Sequence, residues 1–305
     1  MKQFSAEQIN SMLEYQAFIP FLKDCFQSEI TVPNRTHHGM SNGTLLMMPA
    51  WNEEYLGIKL ATVHPENKNL GLPSIHATYL LQSAKTGEPL ALLDGKALTV
   101  KRTAAASALA ASFLAKKNAT KLLMIGNGAL APELIKAHAT VRPIRAVQIW
   151  GRNAANVAYL IESMEWQGLQ VQRAENLKEA IQWADVISCA TMSKTPLVEG
   201  AWLKPGQHID LVGSYKPDMR EADDAVIQCA SIFVDTLLAM KESGDLALPL
   251  KSEVTKPQDI QADLKSLCIG NHPGRKNEQE ISVFKSVGLA LEDLAAAAFI
   301  FKQMR

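Results

Sequence analysis

The residues best suited to chemistry are a glycine turn and three isolated cations. The run Lys121-Leu-Leu-Met-Ile-Gly126-Asn127-Gly128-Ala129-Leu130-Ala131-Pro-Glu133 reads as an apolar strand, a GxGxxA turn and a helix start. That order sets a pyrophosphate on helix N-terminal amides, the glycines giving a tight turn and close backbone approach. An ordinary glycine turn carries the same letters, but the flanking strand and helix favour the cofactor. At the end of the next strand, where a fold selective for NAD has an acid for the ribose hydroxyls, the chain reads Trp150-Gly151-Arg152-Asn153. Arg152 suits a 2′-phosphate instead, so NADPH is the expected cofactor, with NADH the second choice.

The cations are Arg35 beside His37 and His38, Lys59 within Gly57-Ile58-Lys59-Leu60-Ala61, and Arg102 at the start of an Ala-rich helix. A lysine among apolar neighbours is expensive to bury unless an anion meets it. An arginine near a helix start opposes the macrodipole, a conflict that a bound carboxylate relieves. Taken singly, each also reads as a snorkelling or ion-paired side chain, and sequence alone does not establish that they converge.

Two kinds of element must position these groups. Ser5 with Gln8 forms a capping box for an opening helix, and a second helix is expected after Pro20. Short apolar segments follow at 44–48, 55–63, 74–82 and 90–93, broken by Gly, Pro and Asn clusters, which predicts an antiparallel or mixed sheet. The stretch 99–117 has no internal Gly or Pro and predicts a long helix. Thereafter strands at 122–125, 146–150, 169–172 and 186–189 alternate with helices at 130–140, 154–167 and 177–183, with further strands at 208–212 and 232–235 and a last helix at 287–303. This alternation predicts a parallel, doubly wound Rossmann-type sheet, α/β in class, beside a second α+β domain. The domains are expected at 1–115 with 290–305, and at 116–289.

Composition narrows the partners. The chain's 305 residues suit two cores, and with 47% hydrophobic and 20% charged residues it reads as globular. Lys plus Arg equals Asp plus Glu at 31 each, so no net field recruits nucleic acid or an anionic membrane. Four scattered cysteines suggest neither a disulfide framework nor a metal site, and the N-terminus has no signal-like apolar run. A cytoplasmic protein acting on a small molecule is the expectation.

Several of these segments resemble the ornithine cyclodeaminase and mu-crystallin family: 59–65, 71–73, 97–110 (ALTVKRTAAASALA), 126–129, 212–217 and 286–293 (SVGLALED). The match runs in order through almost the whole chain. The resemblance implies a homodimer in which Arg35, Lys59 and Arg102 hold a substrate carboxylate, Ser74 and His76 line the pocket, and Thr191-Met192 lies near the nicotinamide. It also implies that Gly126 to Leu130, Asn153 and Val212 belong to the cofactor site. Where the cyclodeaminases carry an aspartate after Val212-Gly213, this chain has Tyr215, with Asp218 three residues on. That pattern is similar to the branch that reduces Δ1-pyrroline-2-carboxylate to L-proline. Lys59, Ser74, His76 or water could supply the imine proton. Reduction of a six-membered imine, an alanine dehydrogenase reaction, ornithine cyclodeamination and non-catalytic NADPH binding stay open.

Overall fold

The computed structural model describes residues 1–166 and 168–304. Gln167, the expected end of the helix from Ala154, and Arg305, the expected end of the first domain, lie outside the described residues. The chain forms two compact units, one of Met1–Ala105 with Leu289–Arg305 and one of Ala106–Gly288.

The first unit opens with β1 (Lys2–Phe4), α1 (Ala6–Met12) and α2 (Tyr15–Gln27). Ser5 Oγ accepts the Gln8 N–H and Gln8 Oε1 accepts the Ser5 N–H, completing the expected capping box. The second helix starts five residues before Pro20, contrary to expectation. Pro20 has no N–H for the Gln16 carbonyl, but both residues are exposed, so water can take that carbonyl. β2 (Thr36–Met40), β3 (Gly43–Trp51), β4 (Tyr55–Val63), β5 (Ile75–Ser83) and β6 (Pro89–Asp94) complete a mixed six-stranded sheet of order β1-β6-β5-β4-β3-β2. Only β1 and β6 pair in parallel. Along β4, Tyr55, Gly57, Lys59 and Ala61 are buried on one face. The C-terminal helix, Ala290–Lys302, packs on β3, β4, β5 and α2, and the Phe299 ring meets those of Phe18 and Phe21 at a tilt.

α3 (Gly95–Leu114) follows directly, and Asp94 accepts the Ala97 N–H at its start. The helix therefore begins four residues earlier than expected, and Arg102 is its eighth residue. The anticipated clash of Arg102 with the positive end of the helix dipole does not arise.

The second unit is a doubly wound α/β fold. β7 (Lys121–Ile125), α4 (Leu130–Val141), β8 (Ala146–Trp150), α5 (Ala154–Glu162), β9 (Gln170–Arg173), α6 (Leu177–Trp183) and β10 (Val186–Cys189) alternate in the order read from sequence, α5 stopping at Glu162, short of the expected 167. There follow β11 (His208–Leu211), α7 (Asp224–Cys229), β12 (Ser231–Val234), α8 (Ala239–Glu242), α9 (Gly244–Lys251), β13 (Ile260–Asp263), α10 (Leu264–Cys268) and β14 (Ser282–Lys285). All eight strands run parallel in the order β13-β12-β14-β11-β10-β7-β8-β9. Strands covered on both faces need apolar residues throughout, and Leu122 to Ile125 and Val186 to Cys189 are fully buried. The strand order reverses between β7 and β10, and a crevice at the carboxyl ends of such strands is where α/β sheets bind ligands.

Candidate functional site

The crevice at the ends of β7, β8 and β10 is a cleft of about 310 Å³ lined by Gly126 to Gly128, Trp150 to Arg152 and Ala190 to Ser193. Gly126 has φ +113°, and a Cβ there would meet the Ala190 carbonyl oxygen at 2.6 Å. A Cβ on Gly128 would meet nothing, so the space it would fill belongs to the cleft. Ala131 is buried where α4 leaves the turn, which lets helix and strand pack closely. α4 also lacks a side-chain cap at Ala129, whereas Asn153, Asn176, Asp223 and Asp263 cap α5, α6, α7 and α10. The Gly128 carbonyl takes the Ala131 N–H at 3.0 Å and Pro132 has none, so the amides just before them, along the glycine turn, are the ones left for an anion among the described residues, and a dinucleotide pyrophosphate fits that cradle.

The expected cofactor residues are distributed unevenly around the cleft. Arg152 is exposed on its rim, and Thr191 and Met192 form one wall. Asn153 is outside the lining, its side-chain oxygen accepting the Asn156 N–H to close α5. Ala129 and Leu130 open α4 outside the lining, and Val212 is buried behind it, donating its N–H to the Cys189 carbonyl.

A buried carboxylate that sequence reasoning missed underlies that wall. Glu221 Oε1 accepts the N–H and the hydroxyl of Thr191, at 2.7 and 2.9 Å, and its Oε2 accepts the N–H groups of Gly213 and Ser214, at 2.7 and 3.2 Å. The loops lie so close that a Cβ on Gly213 would come within 1.9 Å of the Thr191 carbonyl oxygen.

The first unit brings the cations together. Lys59 Nζ lies 2.8 Å from Asp293 Oδ2 and donates to Thr99 Oγ1 at 3.3 Å. Arg102 donates from Nε to Asp293 Oδ1 at 2.9 Å and from Nη1 to Glu292 Oε2 at 2.5 Å. All four side chains are buried. Both acids stand in the first turn of the C-terminal helix, which has no side-chain cap, and the dipole there favours them. Burial lowers the Lys59 ammonium to about 8, Asp293 opposing the shift and Arg102 and Arg35 adding to it. Burial also works against the Asp293 anion, but Arg102 and Lys59 outweigh it and hold that carboxyl below its usual value. The anion anticipated for Lys59 and Arg102 is therefore already present within the protein.

Among the described residues, neither Ser74 nor His76 bonds to this cluster. Ser74 is half-buried just before β5, its carbonyl taking the His64 N–H. Lys59 pairs with Tyr79 and Thr62 with His76, so strand alternation puts His76, which is exposed, on the sheet face opposite Lys59. Tyr215 is 37% exposed in the loop after β11, and its neighbour Asp218 pairs with Lys194 at the surface, 2.7 Å away.

A doubly wound sheet with a glycine-lined crevice at its switch point, and a second unit carrying buried paired cations, define a two-unit protein of the Rossmann class. The chain belongs to the ornithine cyclodeaminase/mu-crystallin family, whose sequence profile matches residues 4–305. It is 38% identical to the Δ1-pyrroline-2-carboxylate reductase of Colwellia psychrerythraea, over 100% of this chain and 99% of that one. Among solved structures it is similar to Thermococcus litoralis Δ1-pyrroline-2-carboxylate reductase in complex with NADH and L-proline, at TM-score 0.94 and 33% identity, covering 99% of this chain and 97% of that one. An archaeal alanine dehydrogenase dimer with bound NAD matches at TM-score 0.92 and 28% identity, covering 99% and 95%.

Proposed function

We propose that this protein reduces a cyclic 2-imino acid with NAD(P)H, converting Δ1-pyrroline-2-carboxylate to L-proline. The observation that carries the reading is the pair of cations with donors to spare. Lys59 and Arg102 are fixed by Asp293 and Glu292, yet among the described residues Arg102 Nη2 makes no hydrogen bond and Lys59 has an ammonium proton beyond its two contacts. Those donors suit one small carboxylate. When bound, the reduced dinucleotide supplies a hydride to the imine carbon. The chain's own task is to hold the carboxylate and to deliver a proton to nitrogen, and Lys59, with its ammonium lowered to about 8, suits that transfer. The named reductases among its relatives support the same assignment.

Tyr215 supports reduction over cyclodeamination. The latter must manage protons on two substrate amines, and a neutral phenol offers no anion; burial, followed by Asp218, holds the Tyr215 hydroxyl above its usual value. In an assay of the purified protein, NADPH should be consumed with Δ1-pyrroline-2-carboxylate and L-proline should form, while ornithine with NAD releases no ammonia above background. Steady ammonia release would overturn the assignment. The six-membered imine and pyruvate with ammonia, tested alongside, rank the substrates that one carboxylate anchor could accept.

Arg152 supports a preference for NADPH, since no acid stands at the end of β8. One charge-assisted contact is worth about 1.5–3 kcal/mol, or roughly tenfold to a hundredfold in affinity. Arg152→Ala should narrow the NADPH to NADH ratio of kcat/KM by that factor. Wild-type kinetics favouring NADH would defeat this preference. The uncovered sheet face that carries Ile58, Leu60 and Leu80 supports a homodimer, Leu60 being 40% exposed in the single chain. Four cysteines without a disulfide among the described residues suit a cytoplasmic setting.

A further inference from the structure

The loops after β10 and β11 leave the sheet side by side, because Cys189 and Leu211 are register partners. Ladder-like pairing ends where the Val212 N–H meets the Cys189 carbonyl at 2.8 Å. Beyond that point the two loops are joined through the fully buried Glu221 carboxylate, which receives donors from Thr191 on one oxygen and from Gly213 and Ser214 on the other. The backbone that carries this carboxylate is anchored in turn. Asp245 Oδ1 accepts the N–H groups of Glu221 and Ala222, at 2.7 and 3.1 Å. Lys285 Nζ lies 3.3 Å from Asp245 Oδ2 and donates to the Leu211 carbonyl at 3.0 Å.

We propose that Glu221 is a positioning residue for the dinucleotide: its ionised carboxylate clamps the loop after β10 to the loop after β11 and so sets the wall that Thr191 and Met192 present to the cleft. The inference rests on the reading of that cleft as the NAD(P)H site. Its physical basis is donor arithmetic. An ionised carboxylate has about four acceptor positions and no hydrogen to place, so it can serve four donors. Protonation puts an O–H among N–H groups, and glutamine puts an NH₂ there; either breaks the clamp on one side. Aspartate is one methylene too short to keep both loops.

The groups facing this carboxylate make the clamp sensitive to pH. Burial first, and then Asp245, raise the Glu221 carboxyl to about 7, against the pull of Lys285 and of the donors from Thr191 and Cys189. The folded value lies above the usual 4.5, so between those values the folded chain holds more protons than the unfolded one. On account of this group alone, stability increases as pH falls through that window, whereas the clamp loosens. Weakened cofactor binding over the same range is thus distinguishable from unfolding.

The test is a fluorescence titration of the full chain with NADH between pH 5.5 and 8.5. NADH is the probe because the 2′-phosphate of NADPH titrates near pH ~6. Wild type should lose about tenfold in affinity from pH 8 to pH 6, as expected for loss of a charge-assisted contact. Glu221→Gln should bind at least about tenfold more weakly at pH 8 and change little with pH. If that variant fails to fold, amide exchange of wild-type residues 190–193 and 212–216, corrected for intrinsic rates, should show lower protection at pH 6 than at pH 8. A folded Glu221→Gln with wild-type NADH affinity, or wild-type protection and affinity both flat in pH, overturns the clamp alone. Wild type that binds neither NADH nor NADPH overturns the reading of the cleft and takes the clamp with it.

Discussion

Arg102→Ala is expected to destabilise the first unit by about 3–5 kcal/mol and to lower kcat/KM for Δ1-pyrroline-2-carboxylate at least about tenfold. Both effects follow from one geometry. The guanidinium spends Nε on Asp293 and Nη1 on Glu292, and these acids, against the opposing effect of burial, hold it above its usual pKa. Truncation leaves two buried carboxylates without the fork that joins them, and breaking a buried pair costs far more than a surface ion pair ever contributes. It also removes Nη2, the donor assigned to the substrate carboxylate. Arg102→Lys should recover neither property in full, since one ammonium cannot reach two acids and a substrate in fixed directions. Chemical denaturation and steady-state kinetics measure the two effects, and cofactor titration supplies the control. The cleft residues belong to the other unit, so NADPH affinity should stay within about twofold, far below the tenfold steps of a lost charged contact. An unchanged kcat/KM in a folded variant would return Arg102 to a purely structural part.

The contrast between Arg102 and Gly126 explains what the sequence made legible. The glycine turn could be read because every determinant is local: the apolar run of β7, the glycine spacing and the helix start lie within thirteen residues. The absence of an acid after β8 was equally local. Arg102 and Lys59 were recognisable as costly cations, but their partners were not. Asp293 is 191 residues from Arg102 in the chain, and no periodicity links the two. The terminal LED stretch was visible only as part of a family likeness, although two acids in the first turn of an apolar helix are a local sign of buried cations. The helix start was misjudged because Gly95 resembles a break, while Asp94 caps the helix just before it.

Glu221 was hidden for a different reason. Arg220-Glu221-Ala222-Asp223-Asp224 is a charged run, and such runs ordinarily face water. Here the backbone passes beneath two sheet loops, so Glu221 is enclosed while Asp224 remains half-exposed with Arg220 beside it. β14 was missed because Ser282–Lys285 is only four residues and ends in a lysine. Lys285 is fully buried all the same, because Asp245 and the Leu211 carbonyl receive it. In each case a tertiary partner reverses the local inference, and in the cases of Glu221 and Lys59 the reversal falls at a proposed functional group.

Asp293→Asn is expected to cost about 3–5 kcal/mol of stability and to move the basic limb of the kcat/KM profile to lower pH. In the wild type, burial depresses the Lys59 ammonium to about 8, Arg102 and Arg35 adding to the depression and Asp293 opposing it. If Lys59 gives the imine its proton, kcat/KM should fall as pH rises through about 8. Asparagine keeps the shape but removes the opposing charge, so Lys59 should lose its proton at a lower pH and the active window should narrow from its alkaline side. Stability runs the other way. Because the folded value lies below the usual 10.5, the unfolded chain holds more protons between about 8 and 10.5, and the Lys59 contribution to stability increases with pH across that interval. The depressed Asp293 carboxyl contributes stability above its unfolded value of 3.8, lost only as pH falls below that value toward its folded one. An alkaline loss of activity in a chain that is not unfolding, moved to lower pH by Asp293→Asn, therefore identifies titration of Lys59. Rate profiles from pH 6 to 10 for wild type and Asp293→Asn, each paired with thermal unfolding at the same pH, decide the matter. Superimposable alkaline limbs, with a folded variant, would rule out Lys59 as the proton source.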